Sequence, residues 1–142
     1  MHKLKILNSK EKKKLLNRIN EHYGCDFSSG RVFLQDEKEN LFLISESIGE
    51  IEFDKLKIER AGLFFGNGIM LSVEGSQLLG KVKKNLIELD EDEAKDYLKG
   101  EAIDSEIGDG DYILKSNGDY LGSAKARNGK ILNSLPRNRR IS

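Results

Sequence analysis

Three Asn-Gly pairs, Asn67-Gly68, Asn117-Gly118 and Asn128-Gly129, each stand between runs of β-type residues. A two-residue Asn-Gly link is the strongest local signal for an antiparallel hairpin, because both residues tolerate the positive φ that the favoured turns require. The pairs commit AGLFFGNGIMLSV, GDYILKSNGDYLGSAKAR and KILNS to short strands joined by tight turns, and RNRRI reads as a last strand beyond Pro136. RVFLQ and LFLISE, separated by Asp36-Glu37-Lys38-Glu39-Asn40, read as a further hairpin with a longer loop. Strands at this spacing suggest a small barrel or sandwich.

Helical signals punctuate the strands. LKIL is a short strand, after which Asn8-Ser9 offers a cap for a helix running to about Tyr23, with Gly24 where a helix stops. Leu15, Leu16, Ile19 and Tyr23 fall on one side of it, and Lys10, Lys13, Lys14 and Arg18 on the other, which reads as a solvated face. EFDKLKIER fits either a short helix or a strand. EGSQLLGKV reads as a short helical turn and KNLIEL as a strand. DEDEAKDYLKG reads as a helix with Asp90 as cap, Glu93 in capping-box spacing and an end at Gly100. Its acids sit at the helix's positive end, a structural role.

These elements predict an α+β chain: a small α/β domain over residues 1–74, then a mixed β-barrel with short helices over 75–142. The 142 residues suffice for one domain or two very small ones. MHKLKILNSKEKKKLL holds no apolar run long enough for a signal peptide or a spanning helix, so a cytoplasmic, membrane-free protein is expected. Cys25 is the single cysteine, in keeping with a reducing compartment.

The formal charge is zero, 24 cations against 24 acids, but it is segregated along the chain. Residues 3–18 hold seven cations (Lys3, Lys5, Lys10, Lys12, Lys13, Lys14, Arg18) against Glu11, whereas residues 88–111 hold eleven acids against Lys95 and Lys99. After Asp119 the chain has no acid at all, yet carries Lys125, Arg127, Lys130, Arg137, Arg139 and Arg140. Such segregation speaks of local potential and hence of partners. With Asn128-Gly129 as a two-residue turn, Arg127 faces Lys130 across the hairpin and Lys125 faces Leu132, while Ala124, Ala126 and Ile131 turn to the core. Like charges opposed on a ladder are costly; a polyanion would offset them, and no acid of this local run does. Arginines in an acid-free run suit phosphate.

Catalytic chemistry is not evident. His22 and Cys25 have a pairing spacing without a second pair, so no metal site is expected. The glycines of AGLFFGNG match neither a Walker loop nor GxGxxG. DSEIGDGDY gathers Asp104, Glu106, Asp109 and Asp111 around two glycines but lacks the EF-hand order, and reads as a solvated turn. A metal-using enzyme built on that cluster ranks below a binding protein; no cofactor is expected and the chain is read as a non-enzyme.

YLKGEAI and GDGDYILKSNGDYLGSAKARNGKILNSLPRNRR resemble a PUA domain, in particular the PUA-type domain at the end of ribosomal-RNA 5-methylcytosine methyltransferases. The resemblance rests on Tyr97-Leu98-Lys99-Gly100-Glu101, Leu121-Gly122, Lys125, Asn128-Gly129, Asn133, Pro136 and Arg139 or Arg140, over roughly the last 65 residues. The pattern departs at Ser123, where an aromatic residue is expected, and at Ser134-Leu135, so contacts to phosphate or base edges are implied rather than stacking. The chain is too short to hold the methyltransferase domain, and Cys25 lacks the Pro-Cys context of its nucleophile. The front half is similar, over Ser45-Glu46-Ser47-Ile48 and Gly62-Leu63-Phe64-Phe65-Gly66, to the domain preceding PUA in a small two-domain ribosome-biogenesis factor.

The resemblance implies a PUA-like barrel that binds structured RNA, ribosomal or transfer, through Lys125, Arg127, Lys130, Arg137, Arg139 and Arg140. It also implies that Lys81, Lys83 and Lys84 adjoin this face and that the preceding helical turn offers backbone donors near Ser76 and Gln77. The expected role is in ribosome biogenesis or RNA modification, with an RNA-modifying enzyme or assembly factor as a further partner. The alternative is a protein-interaction subunit of a separate RNA-modifying enzyme.

Overall fold

A computed structural model describes residues 4–44, 62–137 and 140–141. EFDKLKIER and Ser45–Ile48 fall outside them. Strand β1 (Lys5–Ile6) leads into α1 (Ser9–Tyr23), whose capping box is complete: Asn8 Oδ1 accepts from Glu11 N at 2.8 Å and Glu11 accepts from Asn8 N at 3.1 Å. Gly24, at φ 61, ends the helix. The hairpin β2 (Val32–Gln35) and β3 (Asn40–Ile44) turns on Asp36, whose carboxylate accepts from the backbone N–H groups of Lys38 and Asn40, both at 2.9 Å. Strands β4 (Leu63–Asn67) and β5 (Met70–Leu71) complete a first sheet in the order β1-β2-β3-β4-β5.

The turn between β4 and β5 lies one residue later than the Asn-Gly rule places it. Asn67 pairs with Met70, so Gly68 and Ile69 form the turn. Asn67 is held in the strand because its side-chain amide donates to Lys38 O and Asn40 Oδ1 across the sheet.

The second half opens with α2 (Val73–Gln77), capped by Ser72, followed by β6 (Leu86–Glu88) and α3 (Glu91–Leu98), capped by Asp90 and Glu93 as expected. Strands β7 (Ile103–Asp104), β8 (Gly110–Ser116), β9 (Asp119–Arg127) and β10 (Lys130–Ile131) form with β6 a mixed half-barrel in the order β6-β8-β9-β10-β7. Asn117, Gly118, Asn128 and Gly129 all have positive φ, which the two tight turns require. The chain leaves the sheet after Ile131, so KILNS supplies only a two-residue strand, and no strand follows Pro136 among the described residues.

Two cores share the β8–β9 ladder. Leu114, Ala124 and Ile131 face Leu89, Tyr97, Ile103 and Leu135 inside the half-barrel. The alternate residue Ile113, fully buried, points the other way into a core with Ile19, Tyr23, Phe65 and Leu71. A strand alternates its side chains, so a ladder buried on both faces joins the halves directly.

Candidate nucleic-acid interface

The β9–β10 hairpin has the register read from the sequence. Lys130 pairs with Arg127 and Ile131 with Ala126, and Leu132 N donates to Lys125 O at 2.8 Å. Lys125, Arg127 and Lys130 are exposed, while Ala124, Ala126 and Ile131 are no more than 1% exposed. The pleat therefore separates charge from core.

The acid-free run supplies no counter-charge of its own, but acids of the 88–111 stretch fold over it. Lys125 Nζ lies 3.0 Å from Asp111 Oδ1 and Lys130 Nζ lies 3.7 Å from Asp104 Oδ1, while Asp109 accepts the N–H of Asn128 at 3.0 Å. The loop read as a solvated turn thus folds back on the hairpin, because β7 and β8 are the neighbours of β10 and β9. Exposed ion pairs contribute about 0–1 kcal/mol each, so a phosphate can compete for these lysines. Arg127 has no carboxylate partner among the described residues; its guanidinium donates to the carbonyl of Ala126 at 3.4 Å.

Lys83 and Lys84 lie elsewhere, against the end of α1, with Lys81 exposed just before them. Tyr23 O accepts from Lys83 N and Lys84 N, both at 3.0 Å, His22 O accepts from Asn85 Nδ2 at 2.6 Å, and Lys84 Nζ donates to Glu21 O at 3.4 Å. Carbonyls left unpaired at a helix C-terminus welcome donors and cations. This segment therefore clamps the front half onto the barrel. One link leads back to the hairpin: His22 Nε2 is 2.8 Å from Asp111 O, and Asp111 pairs with Lys125.

Arg140 belongs to a third place. Its Nε donates to Leu135 O at 3.2 Å, its N donates to Arg137 O at 3.3 Å, and Ile141 N donates to Leu98 O at 2.8 Å, which lays the tail over the end of α3. Arg137 is exposed beside it, and Arg139 lies outside the described residues. Of the backbone donors expected near Ser76 and Gln77, that of Ser76 is engaged, and the Gln77 side chain is held separately. Ser76 is fully buried, its N–H donates to Ser72 O, and Gln77 Nε2 donates to Tyr120 O.

This half-barrel, with its Leu-Gly strand and Asn-Gly hairpin, falls within residues 84–141, which match the family model described as the methyltransferase RsmF PUA domain. Residues 84–141 are thus similar to a PUA domain. The chain is 29% identical over 136 residues to the ribosomal RNA small subunit methyltransferase F of Aeromonas salmonicida, covering 92% of this chain and 28% of the relative. It is 28% identical over 119 residues to the enzyme of that name from Shewanella oneidensis, covering 80% of this chain and 25% of the relative. The chain thus spans about a quarter of the length of these curated relatives, and the similarity reaches into the front half.

Several residues of the PUA-like pattern have structural work. Asn133 Nδ2 donates to Tyr97 O at 2.7 Å and Glu101 O at 2.8 Å, tying the segment after β10 to the end of α3. Gly122, at φ 89, sits where an added Cβ would come within 3.1 Å of Val73 N and 3.2 Å of Leu71 O. Only glycine lets β9 pass this close to the β5–α2 connection.

Ser123, standing where the family pattern has an aromatic, is a buried polar joint between the halves. Leu71 N donates to Ser123 Oγ at 2.9 Å, Ser123 Oγ and Tyr23 OH share a hydrogen bond of 2.8 Å, and Tyr23 OH donates to Ile69 O at 2.7 Å. Burial pushes the Tyr23 phenol up to about 12; Ser123 pulls it down, and Asp111 and Cys25 push it further up. Burial also raises the Cys25 thiol, which donates to Asn20 Oδ1, while His22 Nε2 lies against Asp111 O. The aromatics of the barrel are likewise engaged: Tyr97 is fully buried, Tyr112 OH donates to Gly108 O, and Tyr120 OH accepts from Val82 N.

The sequence reading missed an apolar cavity of about 540 Å³ between the halves, lined by Leu63, Phe64, Met70, Val73, Leu121 and Leu135. Its lining comes from five separate segments, a juxtaposition with no local signal. Phe64 is 40% exposed.

Proposed function

We propose that this chain is a non-catalytic RNA-binding protein that takes structured ribosomal or transfer RNA through its PUA domain, in ribosome biogenesis or RNA modification. The observation that carries the reading is the exposed row of Lys125, Arg127 and Lys130 on a hairpin of a domain related to ribosomal-RNA methyltransferases. Phosphates would displace the weakly held Asp104 and Asp111 from the lysines, and Arg127 would meet them without competition. Lys81, Lys83, Arg137, Arg139 and Arg140 are candidates for flanking contacts, with Lys84 divided between RNA and the clamp on α1.

The test is binding of ribosomal and transfer RNA by the wild type and by Lys125→Ala/Arg127→Ala/Lys130→Ala over a salt series. At about 0.7 to 0.9 per phosphate contact, the variant's log–log slope should be shallower by roughly two to three. Identical curves would remove the hairpin from the interface, and absence of binding by the wild type would end the reading. A second reading, an interaction subunit of a separate RNA-modifying enzyme, is favoured by the apolar cavity beside half-exposed Phe64. Capture of such an enzyme by the wild type and not by Phe64→Glu, with no RNA bound, would establish it. No helix among the described residues is long and apolar enough to cross a membrane.

A further inference from the structure

The hairpin face is electrically balanced by itself: Lys125, Arg127 and Lys130 stand against Asp104, Asp109 and Asp111. A polyanion bound there needs a surplus of cations from somewhere else, and the fold brings one alongside.

Lys10, Lys14 and Arg18 recur at four-residue spacing along α1, and His22 continues the row at its end. Residues four apart share a helix face, and the twelve residue steps from Lys10 to His22 span about 18 Å. Lys10, Lys14 and Arg18 are exposed and have no carboxylate partner among the described residues. Lys12, off this row, donates instead to Arg31 O at 2.8 Å.

The row ends at the hairpin. Arg18 borders two adjoining grooves, one of about 290 Å³ with Lys14 and Gly68, the other of about 450 Å³ with His22, Lys84 and Asn85. His22 then reaches the Asp111 carbonyl, and the Asp111 carboxylate holds Lys125. The acids along this path are Glu11, already bound to Lys5, together with Glu39 and Glu21. The two basic segments at opposite ends of the sequence therefore meet through one aspartate.

We propose that α1 and the β9–β10 hairpin form one composite site for an RNA backbone, with Lys10, Lys14 and Arg18 contacting phosphates on one side of the junction and Lys125, Arg127 and Lys130 on the other. The inference rests on the RNA-binding reading above and extends it to the front half, whose contribution nothing in the family match supplies. The occupant is argued from charge: a nucleic-acid strand presents a negative charge about every 3.4 Å, and so follows a row of cations that a compact anion could not span. The groove lined by Arg18, Glu21, His22, Lys84 and Asn85 is polar, as a phosphate path requires.

The experiment measures binding of the full chain to a stem-loop RNA with a single-stranded flank, and to the flank alone, over a salt series. Lys10→Ala/Lys14→Ala/Arg18→Ala is compared with Lys125→Ala/Arg127→Ala/Lys130→Ala, and Arg18→Lys serves as a charge-preserving control. The α1 variant should lower the salt slope on the stem-loop by roughly two to three, should matter less on the flank alone, and Arg18→Lys should keep the wild-type slope. All these side chains are exposed, so an unchanged melting curve verifies the fold. An α1 variant with the wild-type slope, beside a hairpin variant with a shallow one, overturns the composite site and leaves the RNA reading standing. A wild type that ignores both RNAs and binds polyglutamate overturns both in favour of an acidic protein partner.

Discussion

Replacing Tyr23 by phenylalanine removes one oxygen from the joint between the two halves, and its consequences can be worked out at two pH values. In the wild type Leu71 N–H, Ser123 O–H, Tyr23 O–H and Ile69 C=O form a chain of hydrogen bonds in a site where Tyr23 is fully buried. The variant leaves Ile69 O with only Ser123 Oγ at 3.4 Å. An unmade buried hydrogen bond costs about 1–3 kcal/mol, and partial rescue by Ser123 places the loss near 2. For a chain of this size that is a fall in Tm of roughly 4–8 °C. The phenol adds a pH signature. Its pKa is raised by burial from 10 to about 12, so the folded state favours the neutral form. The associated stability is complete below the unfolded value of 10 and is lost as pH rises through 12, by about 3 kcal/mol at 1.36 per unit. Urea unfolding from neutral pH to about pH 12 should show the wild type losing its advantage over Tyr23→Phe in that window. Equal stabilities at neutral pH, or parallel decline of both proteins in alkali, would refute the joint as described.

Gly122→Ala should destabilise by at least about 2 kcal/mol, since positive φ and backbone atoms at 3.1–3.2 Å both oppose a Cβ. Gly118→Ala, with φ 86 but open space around it, should cost only about 1 kcal/mol; comparable losses in thermal melts would contradict the close-approach argument. Asn133→Ala removes two donated bonds and the one it accepts from Leu135 N, for a loss near 2 kcal/mol by urea titration. Asp111→Asn frees Lys125 and should tighten RNA binding while steepening the salt slope by up to about one; weaker binding would mean that this carboxylate positions the lysine instead of competing for it.

Much of the fold was legible because it is set by short-range chemistry. The capping boxes at Asn8–Glu11 and Asp90–Glu93 and the positive-φ turns at Asn117-Gly118 and Asn128-Gly129 depend on residues within a few positions of one another, so a linear reading finds them. The exposed faces of Lys125, Arg127 and Lys130 follow from one turn and a period of two. Where a distant partner competes, the local rule fails: Asn67 leaves its turn because Lys38 and Asn40 offer hydrogen bonds across the sheet.

The charge pattern marks the same limit. The row of cations on α1, the acid-free end and the acidic stretch between them are properties of the chain alone, as is the register that sets Arg127 against Lys130. That Asp104 and Asp111 lie beside the hairpin, that Lys83 and Lys84 cap α1, and that His22 brings the first basic segment to the last were decided by strand order and by the packing of two cores on one ladder. Electrostatic potential is a sum over positions in space, and contacts separated by 89 residues, as between His22 and Asp111, or by 100, as between Tyr23 and Ser123, have no trace in local sequence.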